Sequence, residues 1–153
     1  LGDVYKRQGT SGYEIFVDTS ADANYVVDSL SEDNAMDFTI LDTGASDWNV
    51  QLKQNNITLE KGKTYTLTFE AKSDMKRDIR VIIQGKEDKG WPVYSGENIV
   101  TLSSDYQTFS TTFTMESDTD PDAFLSVCLG AVSERIDSRH RVCIDNISLE
   151  EVN

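Results

Sequence analysis

Apolar and polar residues alternate with a period close to two along almost the whole chain from Tyr13 onward. This period places successive side chains on opposite faces of a strand, and helical spacing is scarce. Turn-forming residues separate the alternating segments, so the pattern predicts an all-β sandwich of about ten short strands. The predicted strands are Tyr13–Asp18, Asn24–Asp28, Met36–Leu41, Trp48–Gln54, Thr64–Lys72, Asp78–Gln84, Asn98–Leu102, Gln107–Met115, Phe124–Leu129 and Arg141–Leu149.

The alternation also predicts which face of each strand meets the core. The side chains predicted to point inward are Tyr65, Leu67, Phe69, Ala71, Ile79, Val81, Ile83, Phe109, Phe113, Met115, Leu125, Val127 and Leu129. Those predicted to point outward from two of these strands are Arg80, Ile82, Gln84, Phe124, Ser126 and Cys128. A glycine-rich loop with Trp91 and Tyr94 follows Gln84. A sheet that presents amides, an arginine and aromatic rings together is a candidate binding surface.

The chain has 153 residues and a formal net charge of −13. This length fits one domain with a continuous core. The negative charge disfavours nucleic acids, anionic membrane surfaces and polyanionic glycans as partners, because each would be repelled. The sequence has no apolar run of about 18 residues and therefore predicts no transmembrane helix. A neutral ligand fits this composition best.

The first eight residues, LGDVYKRQ, share no pattern with the rest of the chain and resemble a translated adaptor sequence. We therefore expect residues 1–11 to be a non-native remnant and residues 12–153 to form a single module. The sequence shows no signal peptide. If the native upstream sequence is missing, this says nothing about localisation.

Few residues have the spacing of a metal or catalytic site. His140 lies between Arg139 and Arg141 in a polar stretch, and we predict a solvent-facing loop residue rather than a catalytic base. Cys128 and Cys143 belong to no CxxC or Cys/His cluster, so spacing leaves one bridge or two free thiols open. The sequence contains no serine nucleophile motif and no zinc-binding histidine pair.

Neighbouring carboxylates are predicted to be solvated. Glu87 and Asp88 share a turn, whereas a glycosidase needs two carboxyl groups that face each other across a cleft. The acidic run Glu116–Asp122 is predicted to be a solvated loop, with a calcium site as the less favoured alternative. These residues therefore carry no prediction of catalysis.

The segment SDWNVQLKQNN, residues 46–56, poses the main question about a binding site. Trp48 has the same parity as Val50 and Leu52, which favours the core unless a bulge precedes Gln51. The amides nearby favour the alternative, a flat apolar surface beside hydrogen-bonding groups. Alternation alone leaves both interpretations open, and it makes Gln51 and Gln84 candidate hydrogen-bonding partners of a ligand.

Three phrases in order resemble the carbohydrate-binding modules of families 4, 9 and 22, which are appended to bacterial polysaccharide hydrolases. The phrases are WNVQLKQNNITLEKGKTYTLTFEAKS, then IRVIIQ followed by Trp91 and Tyr94, and VCIDNISLE near the end. The resemblance runs from Gly12 to Glu151. It implies a jelly-roll β-sandwich of two antiparallel sheets, with a cleft on the concave sheet for one β-linked glycan chain.

The resemblance also implies roles for individual residues. Trp48 falls at a sugar-stacking aromatic position, and Arg80 falls at a basic hydrogen-bonding position. Tyr94, or Trp91 beside it, falls near a second aromatic position, and Phe16 lies near one on the first strand. We therefore predict that Trp48 is a platform for a sugar ring.

A structural calcium ion is a further implication of the resemblance. Asp145 matches a calcium ligand of the family, whose other ligands come from the chain's start and the loop near Asn34. The opening strand that the family shows is missing before Gly12. Cys128 stands where the family often has a polar binding residue, so we favour a thiol facing the cleft and no bridge to Cys143.

The function implied is a non-catalytic carbohydrate-binding module that targets an attached glycoside hydrolase to xylan or to β-1,4- or mixed-linkage glucan. We expect a monomer tethered to a catalytic domain, secreted or at the bacterial cell surface. One alternative is a structural β-sandwich spacer without a ligand. A small jelly-roll hydrolase or lyase is the other, less favoured alternative.

Overall fold

The computed structural model describes residues 4–6, 13–27 and 35–152, which form eleven β-strands and two short 3₁₀ helices. The strands are β1 (Val4–Lys6), β2 (Tyr13–Val17), β3 (Asp22–Val27), β4 (Met36–Asp42), β5 (Val50–Leu59), β6 (Thr64–Ser73), β7 (Arg77–Gln84), β8 (Ile99–Leu102), β9 (Gln107–Thr114), β10 (Asp120–Cys128) and β11 (His140–Val152). The 3₁₀ helices are Asp47–Asn49, before β5, and Glu87–Lys89, after β7. None of the helices among these residues has the length and hydropathy of a membrane span.

The strands form two antiparallel sheets. One has the order β2-β5-β10-β7-β8, and the other has the order β3-β4-β11-β6-β9, with β1 also paired to β11. From β4 onward, every connection except β7–β8 crosses from one sheet to the other. These crossings enclose a single core between the sheets, and the prediction of an all-β jelly-roll sandwich is confirmed.

The core consists of the apolar faces of both sheets. Every side chain predicted to point inward is buried in it, except Phe109, which packs partly buried against it. Full burial of a large apolar side chain contributes about 1.5–3 kcal/mol, so these faces supply most of the stabilising free energy. They also fix which faces of the sheets remain available for a site.

The bounds of β5 differ from the prediction at both ends. β5 begins at Val50 rather than Trp48, because residues 47–49 form a 3₁₀ helix. It continues to Leu59 instead of ending at Gln54. Asn56 has a positive φ of 64°, which breaks the alternation that would have shown the longer strand in the sequence.

The prediction that His140 is a solvent-facing loop residue is wrong. His140 is the first residue of β11 and is 2% exposed. Its Nε2 accepts a hydrogen bond from Arg77 Nη1 at 2.9 Å, which leaves Nδ1 to donate to the Ser138 carbonyl at 2.9 Å. Buried Arg77 also donates to the carbonyls of Leu129 and Gly130. A partner distant in sequence therefore holds His140 away from solvent.

The acidic run Glu116–Asp122 is not entirely a solvated loop. Asp120 opens β10 and is fully buried. Its carboxylate accepts hydrogen bonds from Tyr94 Oη at 2.7 Å and from the Asp122 amide at 2.9 Å. The prediction is wrong at this residue, because a tyrosine from the loop after β7 supplies a partner that the local sequence does not show.

Both cysteines are free, as favoured from the sequence: Cys128 lies in β10 and Cys143 in β11, in different sheets. Residues 7–12 and 28–34 lie outside the described residues, and so does the loop near Asn34. The expectation that residues 1–11 are non-native stays a prediction. Of these residues, Val4–Lys6 form β1, which the sequence did not predict.

Candidate functional site

The outer face of the five-stranded sheet carries a pocket of about 500 Å³. We call it the outer-face pocket; its lining residues are Phe16, Asp47, Trp48, Gln51, Lys53, Arg80, Gln84, Trp91, Phe124 and Cys128. The structure thus brings together six of the seven residues predicted to bind carbohydrate and leaves out Tyr94. Whether the six bind a ligand stays a prediction.

Strand register places four of the lining residues in one row across the sheet. Gln51 of β5 lies opposite Phe16 of β2 and opposite Cys128 of β10. Cys128 in turn lies opposite Arg80 of β7. Directly opposed residues of antiparallel strands point to the same face, and four strands span roughly 14 Å. The row therefore runs from an aromatic ring at one end to a guanidinium group at the other.

Gln51, Ser126 and Cys128 form an uncharged group on the outer face of the sheet. Gln51 Nε2 donates to Ser126 Oγ at 2.5 Å, and this hydroxyl lies 3.4 Å from Cys128 Sγ. Burial raises the pKa of the Cys128 thiol, which keeps it protonated at neutral pH. The Gln51 amide is held in place and retains its carbonyl oxygen as an acceptor.

A single 3₁₀ turn positions Trp48. Asn49 Oδ1 accepts a hydrogen bond from the Ser46 amide at 2.8 Å, and the Gly130 amide donates to the Asp47 carbonyl at 2.9 Å. This turn takes Trp48 out of the parity of β5 and leaves it 48% exposed. The interpretation of Trp48 as a core residue is therefore wrong, and no bulge is needed to bring it to the outer face.

Two aromatic pairs flank the outer-face pocket. Phe16 and Trp48 stack with ring centroids 6.2 Å apart and planes inclined by 27°. Trp91, which is 50% exposed, meets Phe124 edge to face at 6.2 Å. Lys53 Nζ lies between the pairs, 5.8 Å from the Phe16 centroid and 5.7 Å from the Phe124 centroid. Both distances fall within the usual range of cation–π contacts.

Carboxylates hold Arg80 in the outer-face pocket. Its Nε and Nη2 donate to the two carboxylate oxygens of Glu97 at 2.6 and 2.7 Å, and Nη1 donates to Asp47 at 3.4 Å. The hydrogen bonds between them raise the pKa of Arg80 and lower the pKa of Glu97. Arg80 is thus a charged donor of fixed orientation.

Tyr94 does not reach the outer-face pocket, and its predicted role in binding has no support in the geometry. Its side chain packs against the core, and its hydroxyl donates to buried Asp120 at 2.7 Å. Burial, together with the adjacent carboxylate, raises the pKa of Tyr94. Of the two aromatics in this loop, Trp91 is the one that lines the pocket beside Gln84.

Sequence reasoning singled out no role for three lining residues: Asp47, Lys53 and Phe124. Lys53 shares the parity of Gln51, and Phe124 shares the parity of Cys128, so the alternation contained the signal for both. Asp47 carried no such signal, because it lies in the 3₁₀ helix that alternation does not predict.

Of the calcium ligands implied by the resemblance, Asp145 lies among the described residues. Asp145 accepts a hydrogen bond from the Asn146 amide at 2.8 Å, next to a register shift between β11 and β6. Among these residues no group of three side chains with metal-ligand chemistry occurs. The other ligands were expected from the chain's start and near Asn34, which lie outside the described residues. Calcium stays a prediction.

Glu87 and Asp88 lie exposed in the second 3₁₀ helix, as predicted, and neither lines the outer-face pocket. Asp47 is the carboxylate among the described lining residues, and it faces Arg80 rather than a second acid. The described geometry thus offers hydrogen-bonding and stacking groups.

The family model for carbohydrate binding domains of the CBM4/9 type matches residues 8–135. A solved CBM4 structure is 31% identical, with a TM-score of 0.76 over 92% of this chain and 86% of that chain. The N-terminal cellulose-binding domain of Cellulomonas fimi β-1,4-glucanase C is 19% identical, with a TM-score of 0.69 over 95% of this chain and 92% of that chain. At this identity the second likeness shows the fold alone.

A cellulose 1,4-β-cellobiosidase from Acetivibrio thermocellus is 43% identical over 51 residues. The match covers 32% of this chain and 6% of the cellobiosidase, so the chain corresponds to a small part of that protein. The family model covers most of the chain, and the CBM4 structure matches it over nearly its full length. The chain therefore belongs to the carbohydrate-binding domain family of the CBM4/9 type, whose members are non-catalytic modules of glycoside hydrolases.

Proposed function

We propose that the outer-face pocket binds a single β-linked polysaccharide chain, either xylan or β-1,4- or mixed-linkage glucan. The observation that carries the proposal is the exposure of Trp48 and Trp91 in one pocket, each backed by a second ring. Half-exposed indoles are costly surfaces to leave in water, and a pyranose ring offers an apolar face that can cover them.

The polar lining residues offer hydrogen-bonding groups to the hydroxyl groups at the edge of a sugar ring. Gln51 and Gln84 offer amides, and Arg80 offers guanidinium N–H groups that are already held in place. Each such hydrogen bond contributes about 0.5–1.5 kcal/mol net, because water must be displaced. Stacking on the two indole rings adds about 25 cal/mol for each Å² of apolar area that is buried. Together these contributions correspond to dissociation constants on the order of micromolar to millimolar.

Weak binding of this kind suits a module joined to a catalytic domain. The tether turns a modest affinity into a high local concentration of the enzyme at the polysaccharide. The likeness to part of a cellobiosidase supports an attached glycoside hydrolase that is secreted or held at the bacterial cell surface. The calcium ion at Asp145 belongs to the same proposal.

Affinity gel electrophoresis on oat xylan, barley β-glucan and laminarin tests the proposal, followed by calorimetry with oligosaccharides of the polymer that retards migration. We expect retardation on xylan or barley β-glucan and a weaker effect on β-1,3-linked laminarin. Unchanged migration on all three polymers would instead favour a spacer without a ligand.

A further inference from the structure

Lys53 projects from the outer face of β5 into the middle of the outer-face pocket. Its strand neighbours in register are Glu14 on β2 and Ser126 on β10. Phe16 and Phe124 occupy the two diagonal positions, which brings both rings within 6 Å of Nζ. The ammonium group therefore lies between the two aromatic pairs that flank the pocket.

The two cations of the outer-face pocket differ in how their charge is matched. Arg80 makes ion pairs with Glu97 and Asp47. Over the residues that the structure describes, no carboxylate lies within ion-pair distance of Lys53. The carboxylate nearest in register, Glu14, instead accepts a hydrogen bond from Asn55 Nδ2 at 3.1 Å. Lys53 is thus a cation held by rings, with its three N–H donors available to a ligand.

The charge of the rest of the molecule limits the kind of anion that can reach this cation. A formal net charge of −13 repels a chain with a carboxylate on every sugar. An isolated carboxylate on an otherwise neutral chain experiences little of that repulsion at physiological salt, where screening extends over about 8 Å. It gains a charge-assisted hydrogen bond at Lys53 that a hydroxyl group cannot match.

We propose that the outer-face pocket prefers a β-linked glycan that carries sparse uronosyl carboxylates, with Lys53 as the residue that pairs with the carboxylate. This inference rests on the proposed function and names its ligand class more narrowly. The chemistry is that of a neutral β-1,4-linked backbone with an occasional uronic acid branch. The aromatic rings stack on the sugar rings of the backbone, and Lys53 forms an ion pair with the carboxylate of the branch.

Calorimetry with three probes tests the proposal: a linear xylo-oligosaccharide, the same backbone with one glucuronosyl branch, and a β-1,4-linked glucuronan oligosaccharide of equal length. At physiological salt, about 0.15 M, we expect the branched probe to bind about two- to fivefold more tightly than the linear one, as for a partly exposed ion pair. The ratio should approach one in about 0.5 M NaCl. The glucuronan should bind more weakly than the branched probe, and tighter binding of the glucuronan would overturn the requirement for sparse carboxylates.

Variants test whether Lys53 causes the preference. In each protein the quantity compared is the ratio of the affinity for the branched probe to the affinity for the linear probe, because a general loss of binding leaves this ratio unchanged. Lys53→Gln should lower the ratio to about one, and Lys53→Arg should retain it. Lys61→Gln is the matched control, because it removes the same charge from an exposed residue outside the pocket and should keep the wild-type ratio.

The possible outcomes separate this inference from the proposed function. Equal affinities for the linear and branched probes overturn the role of Lys53 and leave glycan binding intact. A preference that survives in Lys53→Gln does the same, because another group must then bind the carboxylate. Absence of binding to every probe overturns this inference, and the proposed function fails with it only if migration on oat xylan, barley β-glucan and laminarin is also unchanged.

Discussion

Half of the Trp48 side chain is exposed, and its ring partner is Phe16. Trp48→Ala should therefore weaken oligosaccharide binding by about tenfold, since covering some 50 Å² of ring at about 25 cal/mol per Å² contributes about 1.3 kcal/mol. The thermal midpoint should fall by only a few degrees. Calorimetry and thermal unfolding measure the two effects, with Tyr25→Ala, an equally exposed aromatic on the other sheet, as the control for affinity. A large fall in midpoint with unchanged affinity would contradict this role for Trp48.

Tyr94 should show the opposite behaviour, because its hydroxyl bonds to the buried carboxylate of Asp120 and not to the outer-face pocket. Tyr94→Phe should lower the free energy of unfolding by about 1.5–3 kcal/mol, the usual contribution of a hydrogen bond to a charged group. Affinity for oligosaccharides should stay within about twofold of wild type. Urea unfolding and calorimetry provide the measurements, and a variant with full stability but reduced affinity would return Tyr94 to the binding residues.

The 3₁₀ helix Asp47–Asn49 is the element that turns Trp48 outward, and Gly130 is the residue packed against it. A Cβ at Gly130 would lie 2.3 Å from the Ser46 carbonyl oxygen and 2.6 Å from that of Asp47. Since both neighbours are backbone atoms, the helix would have to move. Gly130→Ala should therefore reduce both stability and oligosaccharide affinity, which thermal unfolding and calorimetry measure.

Gly62→Ala is the matched control for this prediction. Gly62 has a positive φ of 87° and open space around it, in the turn between β5 and β6. Alanine there should lower the free energy of unfolding by roughly 1 kcal/mol through backbone strain and leave affinity unchanged. Affinity that survives in Gly130→Ala would mean that Trp48 does not depend on this contact.

Elements built from strict alternation could be predicted from the sequence, and elements built from turns could not. In β6 each of Tyr65, Leu67 and Phe69 faces the core, because nothing interrupts the period of two. The helix that carries Trp48 combines a local hydrogen bond from the Ser46 amide to Asn49 Oδ1 with one from the Gly130 amide, far along the chain, and a period of two predicts neither.

The outer-face pocket was predictable by residue type but not by arrangement. Parity placed Gln51, Arg80 and Gln84 on an outer face, and the family resemblance placed Trp48 and Phe16 near them. Register brings Lys53 between Phe16 and Phe124, and register is set by pairing between distant strands. That placement changes the expected ligand from a neutral chain to one with sparse carboxylates.

At the scale of the whole molecule, one buried polar cluster joins the two sheets. Arg77 belongs to β7, in the sheet with the outer-face pocket, and His140 belongs to β11, in the other sheet. Arg77 also donates to the carbonyls of Leu129 and Gly130, and Gly130 in turn contacts the 3₁₀ helix. The cluster therefore links sandwich stability to the segment that positions Trp48.

Stability of the sandwich should consequently depend on pH through His140. Burial lowers the pKa of His140 below its usual 6.5, and the neighbouring Arg77 cation also lowers it. The hydrogen bond to the Ser138 carbonyl and the charge of Asp74 raise the pKa, but together they do not offset the lowering. Because the folded pKa is depressed, the unfolded chain binds the proton more readily. The contribution of neutral His140 to the free energy of unfolding is therefore complete above about pH 6.5. It is lost as the pH falls below this value, and the free energy of unfolding then decreases by at most about 1.4 kcal/mol per pH unit.

Urea unfolding of the wild type and His140→Gln between pH 7.5 and 5 isolates this contribution, because the carboxylates titrate alike in both proteins. Glutamine offers Arg77 an acceptor oxygen that takes up no proton in this range. The wild type should lose more free energy of unfolding on acidification than His140→Gln does, and its oligosaccharide affinity should hold until unfolding begins. Parallel stability curves for the two proteins would show that the folded chain takes up a proton at His140 as readily as the unfolded chain does, and would exclude this cluster as the origin of any acid sensitivity.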